Sequence, residues 1–275
     1  MRQTYMLEDA KTGIQVSVLP EYGGMISGIS CKGKVILYLN ESEVEASPVT
    51  AGGIPVLFPF PGKTKDDSYR LDGHTYYMPM HGLVKNSCFA VEEYKDKEIV
   101  LYMDSNAAII QRNYPFDYRI RVRYKVEGNS VTIGADITNH SEQRMPHCIG
   151  WHPYFKTTDR EKVSFRHFMD IHYNYTDEKD EETIRDIDLT KSWDDVFTSP
   201  SKAEFTLKNE GDGYEVRCVT AKEYRSLVVY TGKEGSICAE PWCGIPNSIN
   251  LQRMLEWIGP RGTRSYQWEM QITLL

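Results

Sequence analysis

The stretch Tyr118-Arg119-Ile120-Arg121-Val122-Arg123-Tyr124-Lys125-Val126 is apolar at every second position and basic between. A period of two is the pleat of a β-strand, so this segment predicts a strand with one buried face and one wet, basic face. Glu127-Gly128-Asn129-Ser130 follows as a turn. Val131, Ile133, Ala135 and Ile137 then resume the alternation, which makes the pair an antiparallel hairpin. Tyr266, Trp268, Met270, Ile272 and Leu274 repeat the pattern at the C-terminus, and Ile14, Val16 and Val18 do so near the N-terminus. Ala203, Phe205 and Leu207, and the run Leu227-Val228-Val229-Tyr230, predict further strands. Helical periodicity is thin: one short helix is predicted from Asn250 to Ile258, ended by Gly259-Pro260. Many short strands joined by Gly- and Pro-rich connections predict an all-β sandwich. No linker, repeat or low-complexity segment interrupts the chain, so residues 1–275 are expected to form a single domain.

A chain of 275 residues with 40% hydrophobic content can bury a full core without disulfides or metals. Its formal net charge of -7 argues against nucleic acid or an anionic membrane as a partner. No run of about 18 apolar residues is present, so no transmembrane helix is expected. The N-terminus, Met1 to Asp9, has no apolar signal region. Six scattered cysteines (31, 88, 148, 218, 238 and 243) form no CxxC pair and read as reduced thiols of a cytoplasmic protein. The acidic run Asp177 to Glu182 reads as a solvated loop.

Three separated stretches carry residues suited to sugar chemistry: Pro79-Met80-His81-Gly82, Gly150-Trp151-His152-Pro153-Tyr154-Phe155 and Ala239-Glu240-Pro241-Trp242. Aromatic faces suit the apolar side of a sugar ring, and a few fixed polar groups suit its hydroxyls. An acid and a base on opposite sides of such a ligand would move protons. Each residue also has a plainer reading. His152 and His81 serve equally as core histidines, Glu240 as a salt-bridged carboxylate ending an apolar strand, and Asp194-Asp195 as an acidic turn or N-cap. The spacing of His140, His147 and His152 matches no common zinc pattern, and neither HExxH nor CxxC occurs, so no metal is expected. GxSxG, P-loop and GxGxxG motifs are absent, which removes the usual markers of acyl transfer and nucleotide chemistry.

Taken in order, five motifs resemble the aldose 1-epimerase (galactose mutarotase-like) superfamily. They are Gly53-Ile54-Pro55-Val56-Leu57-Phe58-Pro59, Pro79-Met80-His81-Gly82, His152-Pro153-Tyr154-Phe155, Asp194-Asp195-Val196-Phe197 and Glu240-Pro241-Trp242 with Pro246-Asn247-Ser248-Ile249-Asn250. Tyr22-Gly23-Gly24-Met25-Ile26 and Ile36-Leu37-Tyr38 fit the opening strands. The resemblance implies a large antiparallel β-sandwich and interconversion of sugar anomers through the open-chain aldehyde, with neither metal nor cofactor. It implies Glu240 as general base on the anomeric hydroxyl, His152 as general acid on the ring oxygen, His81 as a second histidine near that oxygen and Asp194 as a holder of sugar hydroxyls. Lys85, Trp242 and Phe58, in the same motifs, are expected to contact the substrate. Relatives acting on hexose 6-phosphates carry an arginine before Gly-Gly-Ile-Pro and the run HGFAR; here these are Ala51 and His81-Gly82-Leu83-Val84-Lys85. Lysine lacks the bidentate fork that suits phosphate, so an unphosphorylated aldose is favoured, although Lys63, Lys65 and Arg70 lie near in sequence. The expected partner is a small sugar, with a homodimer allowed. Two rivals stand beside the epimerase: a sugar-binding protein without turnover, and a glycoside hydrolase using Asp194 and Glu240.

Overall fold

Side chains that alternate between core and solvent fold here into strands that alternate the same way. The computed structural model describes residues 3–275 apart from 107 and 109–111, so Met1 and Arg2 of the N-terminal reading lie outside the described residues. The hairpin forms as its pattern predicts, with strands Tyr118–Glu127 and Ser130–Asn139 pairing Val122 with Ala135 and Tyr124 with Ile133. Its loop is two residues long, and Gly128 enters it at φ 60, a conformation that glycine adopts without steric cost. Tyr118, Ile120, Val122, Tyr124 and Val126 are all buried. The basic face between them is neutralised by neighbouring strands: Arg119 pairs with Asp104 at 2.7 Å, Arg123 with Glu98 at 3.4 Å, and Arg121 with Glu92.

The hairpin belongs to an antiparallel sheet of 14 described strands that also takes in Thr263–Leu274, Asp194–Asn209, Ser226–Tyr230 and Ser236–Trp242. A second sheet of four strands holds Ile14–Leu19, with Ile14, Val16 and Val18 facing the core. The main core spans both sheets, joining Val16 and Ile29 to Val122, Ile133 and Trp268. The chain is a β-sandwich with two short helices among the described residues, Pro48–Ala51 and Ser248–Leu251. No described helix is long and apolar enough to cross a membrane, and all six cysteines are free.

Three expectations require correction. The helix predicted from Asn250 to Ile258 is one turn, Ser248–Leu251, followed by left-handed Gln252 and Met254 at φ 52 each. Glu256–Ile258 is instead a strand paired with Met145–His147, because a partner segment supplies backbone hydrogen bonds that the local pattern could not foretell. The acidic run is exposed as expected, but Lys179–Glu182 is an edge strand on Ile171–Asn174, not a loop. Asp194-Asp195 is neither turn nor cap; it opens the long strand Asp194–Asn209.

Candidate active site

Three neighbouring strands build the floor of the site. Asp194 pairs with Tyr230, which pairs with Cys238; one pleat along, Val196 pairs with Val228, which pairs with Glu240. Residues two apart on a strand share a face, so Asp194, Val196, Val228, Tyr230, Glu240 and Trp242 present themselves together. All six line a cavity of about 840 Å³, within the range of small-molecule sites. The segment bearing His152 and Tyr154 lies along the other edge, with Tyr154 paired to Cys238. Glu240 is therefore inside the strand Ser236–Trp242 and does not end it.

Glu240 Oε1 lies 3.3 Å from His152 Nε2, and both side chains are almost fully buried. The acid and base candidates stand side by side, not on opposite sides of a ligand as the sequence reading had them. His152 stacks flat on Tyr154, with ring centroids 4.5 Å apart and planes 8° apart, which fixes its orientation. Burial pushes the Glu240 carboxyl well above the usual carboxylate range, helped by the like charge of Asp194. Burial, reinforced by His81, pushes His152 well below the usual imidazole range. Glu240 Oε2, His152 Nδ1 and Trp242 Nε1 are buried with no hydrogen-bond partner. Orphaned polar atoms converging on a cavity are costly unless a ligand satisfies them.

His81 enters from the loop after Pro79 and is held in the left-handed region at φ 66. Its backbone N–H donates to Gly62 O at 2.8 Å, and Gly62 N–H donates to His81 Nδ1 at 3.2 Å. Nδ1 thus accepts, so the neutral ring carries its proton on Nε2. Burial lowers the His81 pKa to about 3, with Lys85 adding to the effect, which keeps the ring neutral. Its ring sits 5.5 Å from His152 and 6.1 Å from Trp242. Asp194 accepts a hydrogen bond at 3.2 Å from the Tyr175 hydroxyl. Partial burial raises its pKa, while Tyr175 opposes that rise.

Lys85 lines the cavity and donates to Met80 O; burial lowers its pKa. Lys63 and Lys65 line the same cavity, whereas Arg70 does not. Phe58 does not line it either: its ring is fully buried against Tyr118 at 5.2 Å and Tyr114 at 6.1 Å. Its role is carried by the backbone, since Phe58 O accepts from Leu83 N at 2.7 Å and so anchors the loop that follows His81. His147 is engaged by the Tyr266 hydroxyl at 2.7 Å. The described residues that do bring metal-ligating atoms within 4.8 Å of one another are His152, Cys238 and Glu240.

Tyr173 and Tyr175 also line the cavity, although no motif in the sequence singles them out. Nothing local marks them, because their position follows from the pairing of Val163–Asn174 with Asp194–Asn209.

Residues 3–257 match the family model described as aldose 1-epimerase. The chain belongs to the aldose 1-epimerase family. Its fold is shared, over 100% of its length, with the Slr1438 protein of Synechocystis sp. PCC 6803, at a TM-score of 0.92 and 26% identity, covering 97% of that chain. A galactose mutarotase-like protein of Clostridium acetobutylicum superposes at a TM-score of 0.84 and 16% identity, covering 100% of this chain and 99% of that one, a likeness of fold. The plasmid-borne protein LacX of Lactococcus lactis subsp. lactis is 24% identical, over 74% of this chain and 78% of its own. Family and fold together support a role in sugar epimerisation.

Proposed function

We propose that the protein is an aldose 1-epimerase in activity, interconverting α and β anomers by acid–base catalysis at Glu240 and His152. The observation that carries this reading is the 3.3 Å contact between these two buried groups at the floor of a cavity with ample room for a sugar. The hydroxyl oxygen and the ring oxygen of a cyclic sugar are both bonded to the anomeric carbon. Two catalytic groups in contact with each other therefore reach one oxygen each. Burial opposes charge on either group alone, so the pair holds one proton between them: protonated Glu240 beside neutral His152, or carboxylate beside imidazolium. The second arrangement is the reactive one. Glu240 takes the proton from the anomeric hydroxyl, and His152 gives its proton to the ring oxygen as the bond from that oxygen to the anomeric carbon breaks. Rotation of the freed aldehyde and attack on its other face, with both transfers reversed, yields the other anomer. No net proton enters or leaves.

His81 Nε2–H supplies a neutral donor beside these oxygens, and Asp194 and Trp242 supply an acceptor and an unpartnered donor for hydroxyls. Tyr154, Tyr173 and Tyr230 supply aromatic surface. A single domain, a cytoplasmic setting and catalysis without metal or cofactor complete the reading. A second reading, a sugar bearing an anionic group such as a 6-phosphate, is favoured by Lys63, Lys65 and Lys85 on the cavity wall, and opposed by Asp66 and Glu178 on the same wall.

The test is anomer exchange followed by NMR or polarimetry on aldoses and hexose 6-phosphates. Glu240→Gln is expected to lose about 10²–10⁴-fold in rate while still binding sugar. Undiminished exchange in that variant would remove Glu240 as base. Saturable sugar binding with no exchange by the native protein would replace catalysis with binding alone.

A further inference from the structure

Cys238 plays no part in the proton transfers above, yet it sits beside the groups that do. Cys238 and Glu240 are two residues apart on the strand Ser236–Trp242, so both face the same way, and His152 meets them from the adjoining segment. One donor atom from each (sulfur, imidazole nitrogen, carboxylate oxygen) lies within 4.8 Å of the other two, and all three residues are buried. Bonds of about 2.0–2.1 Å to nitrogen and oxygen at a tetrahedral angle place those ligands roughly 3.3–3.4 Å apart. His152 Nε2 and Glu240 Oε1 are 3.3 Å apart. A bond of about 2.3 Å to sulfur requires roughly 3.6 Å from sulfur to either neighbour, so a shift of about 1.2 Å at most brings Cys238 into place. Glu240 Oε2 is buried with no hydrogen-bond partner, so the carboxylate keeps an unengaged oxygen that an ion would satisfy.

We propose that His152, Cys238 and Glu240 form a binding site for a borderline-soft divalent cation of the Zn²⁺ class, with inhibition of sugar turnover as the consequence. The sulfur, nitrogen and oxygen set is the one such an ion selects, and a thiolate with a carboxylate cancels its two charges. Three protein ligands leave a fourth position, which opens on the cavity that Glu240 and His152 line. Binding displaces two protons to solvent, one from the thiol and one from the Glu240–His152 pair, as the ion sheds water. Inhibition rests on the epimerase reading, since the ion would occupy both acid and base; binding itself does not.

The test uses a Cys88→Ser background, because Cys88 is the exposed thiol. Titration with Co²⁺ is expected to give thiolate-to-metal charge-transfer absorption that Zn²⁺ abolishes by displacement. Calorimetry with Zn²⁺ in two buffers of different ionisation enthalpy is expected to count about two released protons. Cys238→Ala and Cys238→Ser should remove the absorption and weaken Zn²⁺ binding by at least about tenfold. Absence of the absorption in the background protein overturns the proposal, as does absorption that persists in a folded Cys238 variant. Neither readout depends on turnover, so their failure is distinct from failure of the epimerase reading. With turnover established, Zn²⁺ inhibition in the background protein that is lost in Cys238→Ala supports the proposal; inhibition equal in both counts against it.

Discussion

Gly82 and Gly73 share a backbone φ of 81 and differ in surroundings. A Cβ at Gly73, in the turn between strands Ser68–Leu71 and His74–Tyr77, meets nothing within 4 Å. A Cβ at Gly82 would come within 2.1 Å of Phe58 O and 2.4 Å of Phe58 C, both backbone atoms. Left-handed backbone costs an L-residue roughly 1–2 kcal/mol, and that is the whole expected effect of Gly73→Ala. Gly82→Ala carries the same term and a second. To clear Phe58 O, the strand and the loop must separate by more than 1 Å (about the shortfall from ordinary contact), which breaks the 2.7 Å hydrogen bond from Leu83 N. Leaving such a buried group unpaired costs about 1–3 kcal/mol. The expected loss for Gly82→Ala is therefore roughly 2–5 kcal/mol. The assay is urea unfolding of both variants with unchanged m-values, so that the midpoint shift reads stability. His81 precedes Gly82, so the same variant should also lose sugar binding, while Gly73→Ala keeps it. Equal destabilisation of the two variants, within about 0.5 kcal/mol, would refute the claim that close approach, and not φ, sets the requirement for glycine at 82.

Further outcomes are expected. Asp9 is held to a pKa of about 2 by Lys97, with backbone N–H bonds from Gly128 and Lys11 adding to the effect. A depressed folded value adds stability that is present above the unfolded pKa near 3.9 and fades as pH falls towards about 2. Asp9→Asn should lower the urea midpoint at neutral pH, with the gap from the native protein narrowing between about pH 4 and 2; a gap independent of pH would disprove the ionic origin. Asp194→Ala should weaken sugar binding by about 10–100-fold through loss of a charged hydrogen bond, measured by calorimetry, with the thermal midpoint held because Asp194 is exposed. Unchanged affinity would remove Asp194 from the substrate contacts.

Much of the fold was legible because its signal is local. The alternation from Tyr118 to Ile137, and again from Tyr266 to Leu274, is a property of each segment by itself, and burial follows it residue by residue. Where local pattern and tertiary partner disagree, the partner prevails. Asn250 to Ile258 carries helix-like spacing, yet Glu256–Ile258 pairs with Met145–His147. Phe58 is expected from its motif to contact the substrate, yet it turns into the core, since a strand's neighbours decide which face is wet.

By itself the sequence determined strand content and the acidic balance, and it singled out His81, His152, Asp194 and Glu240 as candidates for sugar chemistry. Only the tertiary structure decided that Asp194, Tyr230 and Cys238 form one row and Val196, Val228 and Glu240 the next. It also decided that Glu240 and His152 touch, and that Cys238 joins them. The physical reason is that strand register is fixed between segments far apart in the chain, by hydrogen-bond ladders and shared burial that no single segment contains.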